Sequence, residues 1–148
     1  MEKVRDTLAM VAGMEPVIRD PVWVYCHSDD PVLIAAAIPH AFGVVREELD
    51  TTLILERAKA QALGFDCSMP MRQITLQVFS ALDASGLTAA FAPPLAAAGI
   101  PCNVVAGFHH DHLLVPAGRA DQALRILLQI QAAAAPGPAS SRPAESGA

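Results

Sequence analysis

From Val4 to Gln131 the hydrophobic period switches repeatedly between two and 3.6 residues, and it does so in the same order twice. That pattern restricts the chain to an α+β or α/β architecture of short elements. Val4, Leu8, Val11 and Ala12 predict a short helix that stops at Gly13. The turn signal Asp20-Pro21 precedes a β-branched and aromatic run, Val22 to His27, that reads as a strand. Asp30 as N-cap and Pro31 at the first helical position then open a helix through VLIAAAI. Gly43 to Leu49 and Thr51 to Glu56 read as strands joined around Asp50, and Arg57 to Leu63 as a helix closed by Gly64.

The second half repeats this order. Arg72 to Phe79 alternates, with Ile74, Leu76 and Val78 on one face and Gln73, Thr75 and Gln77 on the other. Ser85-Gly86 opens a helix through Leu87 to Ala98, in which Pro93-Pro94 withholds two backbone donors and is expected to kink or split it. Cys102 to Gly107 and His112 to Val115 read as strands, and Ala120 to Gln131 as an amphipathic helix. Each half is thus strand, helix, strand, strand, helix, a repeat carried by period and not by residue identity.

At 148 residues the chain is long enough to bury a core without disulfides or a structural metal. Its mean hydropathy is positive, +0.36, but 28 alanines account for much of that. The longest stretch free of Asp, Glu, Lys and Arg, Ala84 to His110, is broken by Gly and Pro, so no membrane-spanning helix is expected. Met1 to Asp6 mixes charges with no apolar segment after it, and Cys26, Cys67 and Cys102 are widely spaced, so a cytoplasmic protein with reduced thiols is expected. The formal net charge of −5 and the lack of a basic cluster argue against nucleic acid as a partner. The last seventeen residues, Ala132 to Ala148, can bury almost nothing and read as a disordered tail.

Three segments carry a family resemblance: VREELDTTLILE (Val45 to Glu56), ITLQVFSALDASGLTAAF (Ile74 to Phe91) and PCNVVAGFHHDHLLVP (Pro101 to Pro116). The chain resembles bacterial proteins that carry two ACT domains in tandem, related to CASTOR-type amino-acid sensors and to the ACT regulatory domains of aspartate kinases. The resemblance implies an α+β fold of two ferredoxin-like βαββαβ units, with antiparallel sheets and helices packed on one face. The units are expected at residues 1–69 and 70–131, with 132–148 as the tail. In relatives the turn between the paired strands of the first unit usually holds a glycine, where this chain has Asp50. An ACT unit needs four strands, and the second half ends in a helix. Glu15 to Ile18 is therefore expected to complete the second sheet, with Phe65 to Ser68 as the fourth strand of the first.

The resemblance also implies a regulatory small-molecule sensor without catalytic activity or cofactor, binding an amino acid or related carboxylate, with a homodimer as the expected assembly. Backbone N–H groups at a helix N-terminus can hold a carboxylate. The candidate ligand residues are accordingly Ala84, Ser85, Gly86, Leu87 and Thr88, with Asn103, which matches the position of an effector-contacting asparagine, and Asp111. Ser85 can equally be a plain helix cap, and Asp111 can equally order a hairpin. His109, His110 and His112 flank Asp111 and use metal-ligand residue types, so a metal-dependent enzyme is the alternative. Strand alternation opposes it by sending His109 and Asp111 to one face and His110 and His112 to the other. A protein-interaction module without a ligand is the third reading. No GxGxxG, phosphate-binding loop or GxSxG occurs.

Overall fold

The structure, a computed structural model, describes residues 6–79, 82 and 85–135. Its elements run α1 (Thr7–Ala12), β1 (Pro16–Ser28), α2 (Pro31–Ala37), β2 (Ala41–Arg46), β3 (Thr51–Glu56), α3 (Arg57–Ala62), β4 (Met71–Leu76), α4 (Leu87–Ala97), β5 (Asn103–Ala106), β6 (Asp111–Pro116) and α5 (Ala120–Ala134). The strands form one antiparallel sheet in the order β2-β3-β1-β4-β6-β5. Local chemistry sets the helix starts. Asp6 and Asp30 accept hydrogen bonds from Ala9 N and Val32 N at 2.8 and 2.9 Å, and Pro31 occupies the first turn of α2.

Strand β1 joins the halves. Its C-terminal part pairs with β3 from Trp23 to Ser28, and its N-terminal part, Pro16 to Ile18, pairs with Leu76 to Ile74 of β4. Asp20-Pro21, expected as a turn, lies instead inside the strand, where the register with β4 shifts between Ile18 and Val22. A bulge tolerates a proline because its N–H is not needed there. The Arg72 guanidinium satisfies the carbonyl of Arg19 within that bulge at 3.0 and 3.3 Å.

Other expectations change as well. Phe65 to Ser68 is a loop and not a strand, because the Asp66 carboxylate accepts from Ser68 N and Ser68 Oγ at 2.9 and 3.1 Å and turns the backbone. Beside β1, β4 from the second half pairs with Pro16 to Ile18, Val22 and Trp23, and no strand pairs with Val24 to Ser28 on that side among the described residues. Helix α4 passes through Pro93 and Pro94 without splitting; the carbonyl of Ala89, which Pro93 cannot serve, belongs to an exposed residue. Asp50 takes no left-handed conformation: among the described non-glycine residues, positive φ occurs at Glu15 alone. Helix α5 continues to Ala134, so Ala132 to Ala134 belong to the fold; alanine propagates a helix readily, and Gln131 Nε2 ties it to the Ala12 carbonyl at 3.0 Å. Residues 136–148 of the expected tail lie outside the described residues.

Helices cover one face of the sheet. Over the second half, α1, α4 and α5 bury Met10, Met14, Phe91, Leu95 and Leu127 against Ile74, Leu76, Leu113 and Val115. Over the first half, α2 and α3 present Ala37 and Ala60 to Val24, Cys26, Leu53 and Leu55, the small side chains admitting close approach. At the start of α4, Gly86 has φ +107°, and a Cβ there would lie 2.5 Å from Thr7 Oγ1, which donates to the Ser85 carbonyl at 3.0 Å. Gly86 thus lets α1 and α4 meet.

The opposite face closes on itself. β2 and β6 are four strand spacings apart in the sheet order, which is roughly 19 Å in a flat sheet. Yet the rings of Phe42 and His112 sit edge to face at 5.5 Å, so the sheet curls until its two halves face each other. One residue from each strand meets inside: Trp23, Phe42, Ile54, Met71, Val105 and Leu114. Beside this apolar layer lies a polar one. Thr75 Oγ1 accepts from Arg19 Nε and Gln73 Nε2, both at 3.3 Å, and therefore donates its own proton to His112 Nδ1 at 3.1 Å; Gln73 Nε2 also reaches that nitrogen at 3.1 Å. His112 is held as a neutral acceptor, and burial first, then His110 and Arg19, push its pKa down, with Asp111 opposing.

Gly86→Ala, which adds both backbone strain and a clash with Thr7, is expected to lower unfolding free energy by about 1–3 kcal/mol in urea titration. Gly118→Ala, where a Cβ meets nothing within 4 Å, should stay within about 0.5 kcal/mol of the parent. A histidine with a depressed folded pKa contributes stability that is present above its unfolded value and is lost as pH falls through the folded one. Melting temperatures between about pH 7.5 and about pH 5 should therefore fall less in His112→Asn, whose amide oxygen keeps an acceptor, than in the parent; parallel curves would exclude His112 as the titrating group.

Candidate functional site

The widest departure from regular pairing lies where β4 begins. Met71 is opposite Trp23, and from Val24 to Ser28 β1 pairs with β3 alone. Alternate residues of a strand direct their N–H and C=O groups to opposite sides, so this stretch offers backbone donors and acceptors on the side that β4 leaves open. A cavity of about 370 Å³ occupies that side. Its walls come from both halves of the chain: Tyr25, Cys26 and His27 of β1, the loop from Phe65 to Met69, Met71 of β4 and Asn103 of β5.

Each polar wall residue has a defined state. Asp50 Oδ2 lies 2.6 Å from His27 Nδ1, and this bond holds the imidazole pKa above its ordinary value, with Asp29 adding a smaller contribution. Burial raises the Tyr25 phenol, with Cys102 adding to the effect, and pushes the Cys26 thiol up to about 11. Cys102, beside Asn103, is likewise pushed up to about 11 by burial. Both thiols are therefore protonated and weakly nucleophilic near neutral pH. Asp66 is fixed by Ser68, and Asn103 Nδ2 lies 4.0 Å from the weak acceptor Met71 Sδ. A second hollow of about 540 Å³ between α1, α4 and α5 is walled by Leu8, Val11, Ala90 and Ile130 and offers little to orient a polar molecule.

The residues expected to share a site are divided. Asn103 lines the cavity, whereas the start of α4 packs on Thr7 of α1. Ser85 and Thr88 are exposed, Leu87 is a core residue, and Ala84 lies outside the described residues. Gly86, not Ser85, is the N-cap of α4, and no side chain caps it. Asp111 begins β6 opposite Leu76 and Ala106, at the end of β5 remote from Asn103. The histidine run separates too: His109 stacks on Phe79 at 5.3 Å within the turn between β5 and β6, while His112 enters the polar layer inside the curl. Among the described residues no three His, Cys, Asp or Glu side chains come together to hold a metal ion. Nor is any described helix long and apolar enough to cross a membrane.

Tyr25, His27 and Asp66 are not marked as amino-acid contacts by the sequence, His27 entering only as a histidine that could approach the His109–His112 run in space. The first two lie in a run whose β-branched and aromatic character signals only a strand, and Asp66 in a segment read as one. The spacing Asp66-x-Ser68, an Asx-turn signature, was the available sign that the latter is a loop.

Two ACT-domain family profiles match the chain, one over residues 4–72 and one over residues 68–129. A Vibrio cholerae protein of unknown function, described as a possible transport protein, is 38% identical, with a TM-score of 0.72 over 82% of this chain and 92% of that one. An Agrobacterium tumefaciens protein is 20% identical with a TM-score of 0.62 over 78% and 87% of the two chains. The ligand-free regulatory subunit of aspartate kinase from Thermus thermophilus shares the fold at 12% identity, with a TM-score of 0.58 over 78% and 95%. No curated protein matches the sequence. The paired profiles, the extent of the Vibrio likeness and the α+β sheet with its helices together show that this chain belongs to the ACT-domain family, as a protein of two ACT domains in tandem.

Proposed function

We propose that the protein is a regulatory sensor that binds an amino acid or a related carboxylate metabolite in the cavity beside β1, and that it acts without catalysis of its own. The observation that carries this reading is the cavity itself. It is walled by both ACT domains, it is bounded by an open strand edge, and its volume of about 370 Å³ lies at the small end of the range for metabolite sites. Family membership supplies the regulatory role, since the ACT domain is a ligand-binding regulatory fold and the related aspartate kinase chain is a regulatory subunit. We place the boundary between the domains at residues 69 and 70, so the ligand would touch the junction. Asn103 is the contact retained from the sequence reading. Its amide can donate to a carboxylate and accept from an ammonium group. Ser85 to Thr88 and Asp111 are not part of this proposed site.

Because the walls belong to both domains, a bound ligand favours the curled arrangement that brings them together, and a partner that reads this arrangement completes the regulation. The three cysteines are free thiols, in keeping with work in the cytoplasm. Homodimerisation is part of the proposal: β2 and β5 end the sheet, and Val44, Val45 and Val104 on them are exposed.

A thermal-shift screen of the full chain against the twenty amino acids tests the reading. A ligand at about a hundred times its dissociation constant adds about 2.7 kcal/mol, a rise of several degrees in the melting temperature. Asn103→Ala is expected to reduce that shift while leaving the unliganded midpoint nearly unchanged, since Asn103 is exposed. Absence of a shift with every amino acid would remove the amino-acid reading.

A further inference from the structure

Two ionisable side chains line the cavity, the Asp66 carboxyl and the His27 imidazole, whose pKa the bond to Asp50 holds above its ordinary value. Asp66 accepts two hydrogen bonds, both from Ser68, and a carboxylate has about four acceptor positions, so half of its capacity remains. His27 engages Asp50 through Nδ1, which leaves Nε2 to donate. The other titratable wall groups, Tyr25 and Cys26, are neutral, and among the described residues no Lys or Arg lines the cavity. A second negative charge on a ligand would find no cation. A second positive charge would find no further anion lining the cavity. The rest of the wall includes Phe65, Met69 and Met71, surfaces suited to an apolar or thioether side chain.

We infer that the cavity is built for a zwitterionic α-amino acid with an uncharged side chain, its ammonium group at Asp66 and its carboxylate at His27. This rests on the reading of the cavity as an amino-acid site and specifies the class it takes. Asp50 from the β2–β3 turn and Asp29 from the segment after β1 are the charged groups acting on His27, and both favour its cationic form. A raised pKa means that the cation persists below it and is lost as pH rises through it, so affinity for the carboxylate is greatest on the acid side.

Calorimetric titration of the full chain with L-methionine, L-aspartate and L-arginine, at about pH 6 and about pH 8, tests the assignment. L-Methionine is expected to bind best and to weaken as pH rises, while its decarboxylated amine and its deaminated acid bind poorly. Asp66→Asn, which keeps the turn to Ser68, and His27→Gln, at an exposed residue, should each weaken L-methionine by about tenfold or more, and His27→Gln should remove the pH dependence. Affinities unchanged within about twofold in both variants, or tighter binding of L-aspartate or L-arginine, would overturn this assignment while leaving an amino-acid site in place. Binding by none of the twenty amino acids in the thermal screen would instead sink the underlying reading.

Discussion

The fold depends on one strand that is longer than either of its neighbours. β1 runs thirteen residues and pairs at one end with β4 and at the other with β3, so the two ACT domains share a single hydrogen-bonded sheet instead of two sheets packed side by side. This explains how the second domain obtains its last strand although the chain leaves that domain in a helix. It also makes the two domains one mechanical unit. Separating them would require breaking the β1–β4 ladder, whose freed backbone groups would then need new partners.

Sharing a strand has a geometric cost, and the bulge at Asp20-Pro21 absorbs it. The register shifts there, the local twist increases, and the carbonyl of Arg19 that loses a ladder partner is served by Arg72. The sheet curls, and the curl turns the helix-free face into an interior. Six apolar residues, one per strand, close the middle of that interior. The Gln73, Thr75 and His112 layer beside it is polar but bonded, as buried polar atoms must be. The indole Nε1 of Trp23 is the exception there, a buried donor without a hydrogen-bond partner among the described residues.

What the sequence made legible was what neighbouring residues decide. The alternation from Arg72 placed Ile74 and Leu76 under the helices and Gln73 and Thr75 on the other face, because a pleated strand leaves no other option. Asp30-Pro31 opened a helix for equally local reasons. Asp20-Pro21 reads locally as a turn, but its place inside β1 is set by pairing with β4, some fifty residues away. The same holds for the site. The family resemblance singles out Asn103, which lines the cavity, whereas Tyr25, His27 and Asp66 become neighbours only because β4 starts at Met71 and leaves the edge of β1 open. Gly86 shows the converse error: a glycine at a helix start suggested ligand access, and the space it makes is filled by Thr7.

The site's position therefore follows from the fold's own mismatch. β3 and β4 pair with opposite ends of the longer β1, so each edge of β1 is left unpaired along part of its length, and the part beside the cavity presents backbone donors and acceptors to it. Under the proposed reading, a small molecule with an ammonium and a carboxylate close together satisfies both kinds of group. Because the open edge lies at the junction of the two domains, whatever fills it acts on the same β1 ladder that holds them together. Under the proposed reading, binding and domain arrangement would be coupled through this shared strand, without any need for a separate transmission path.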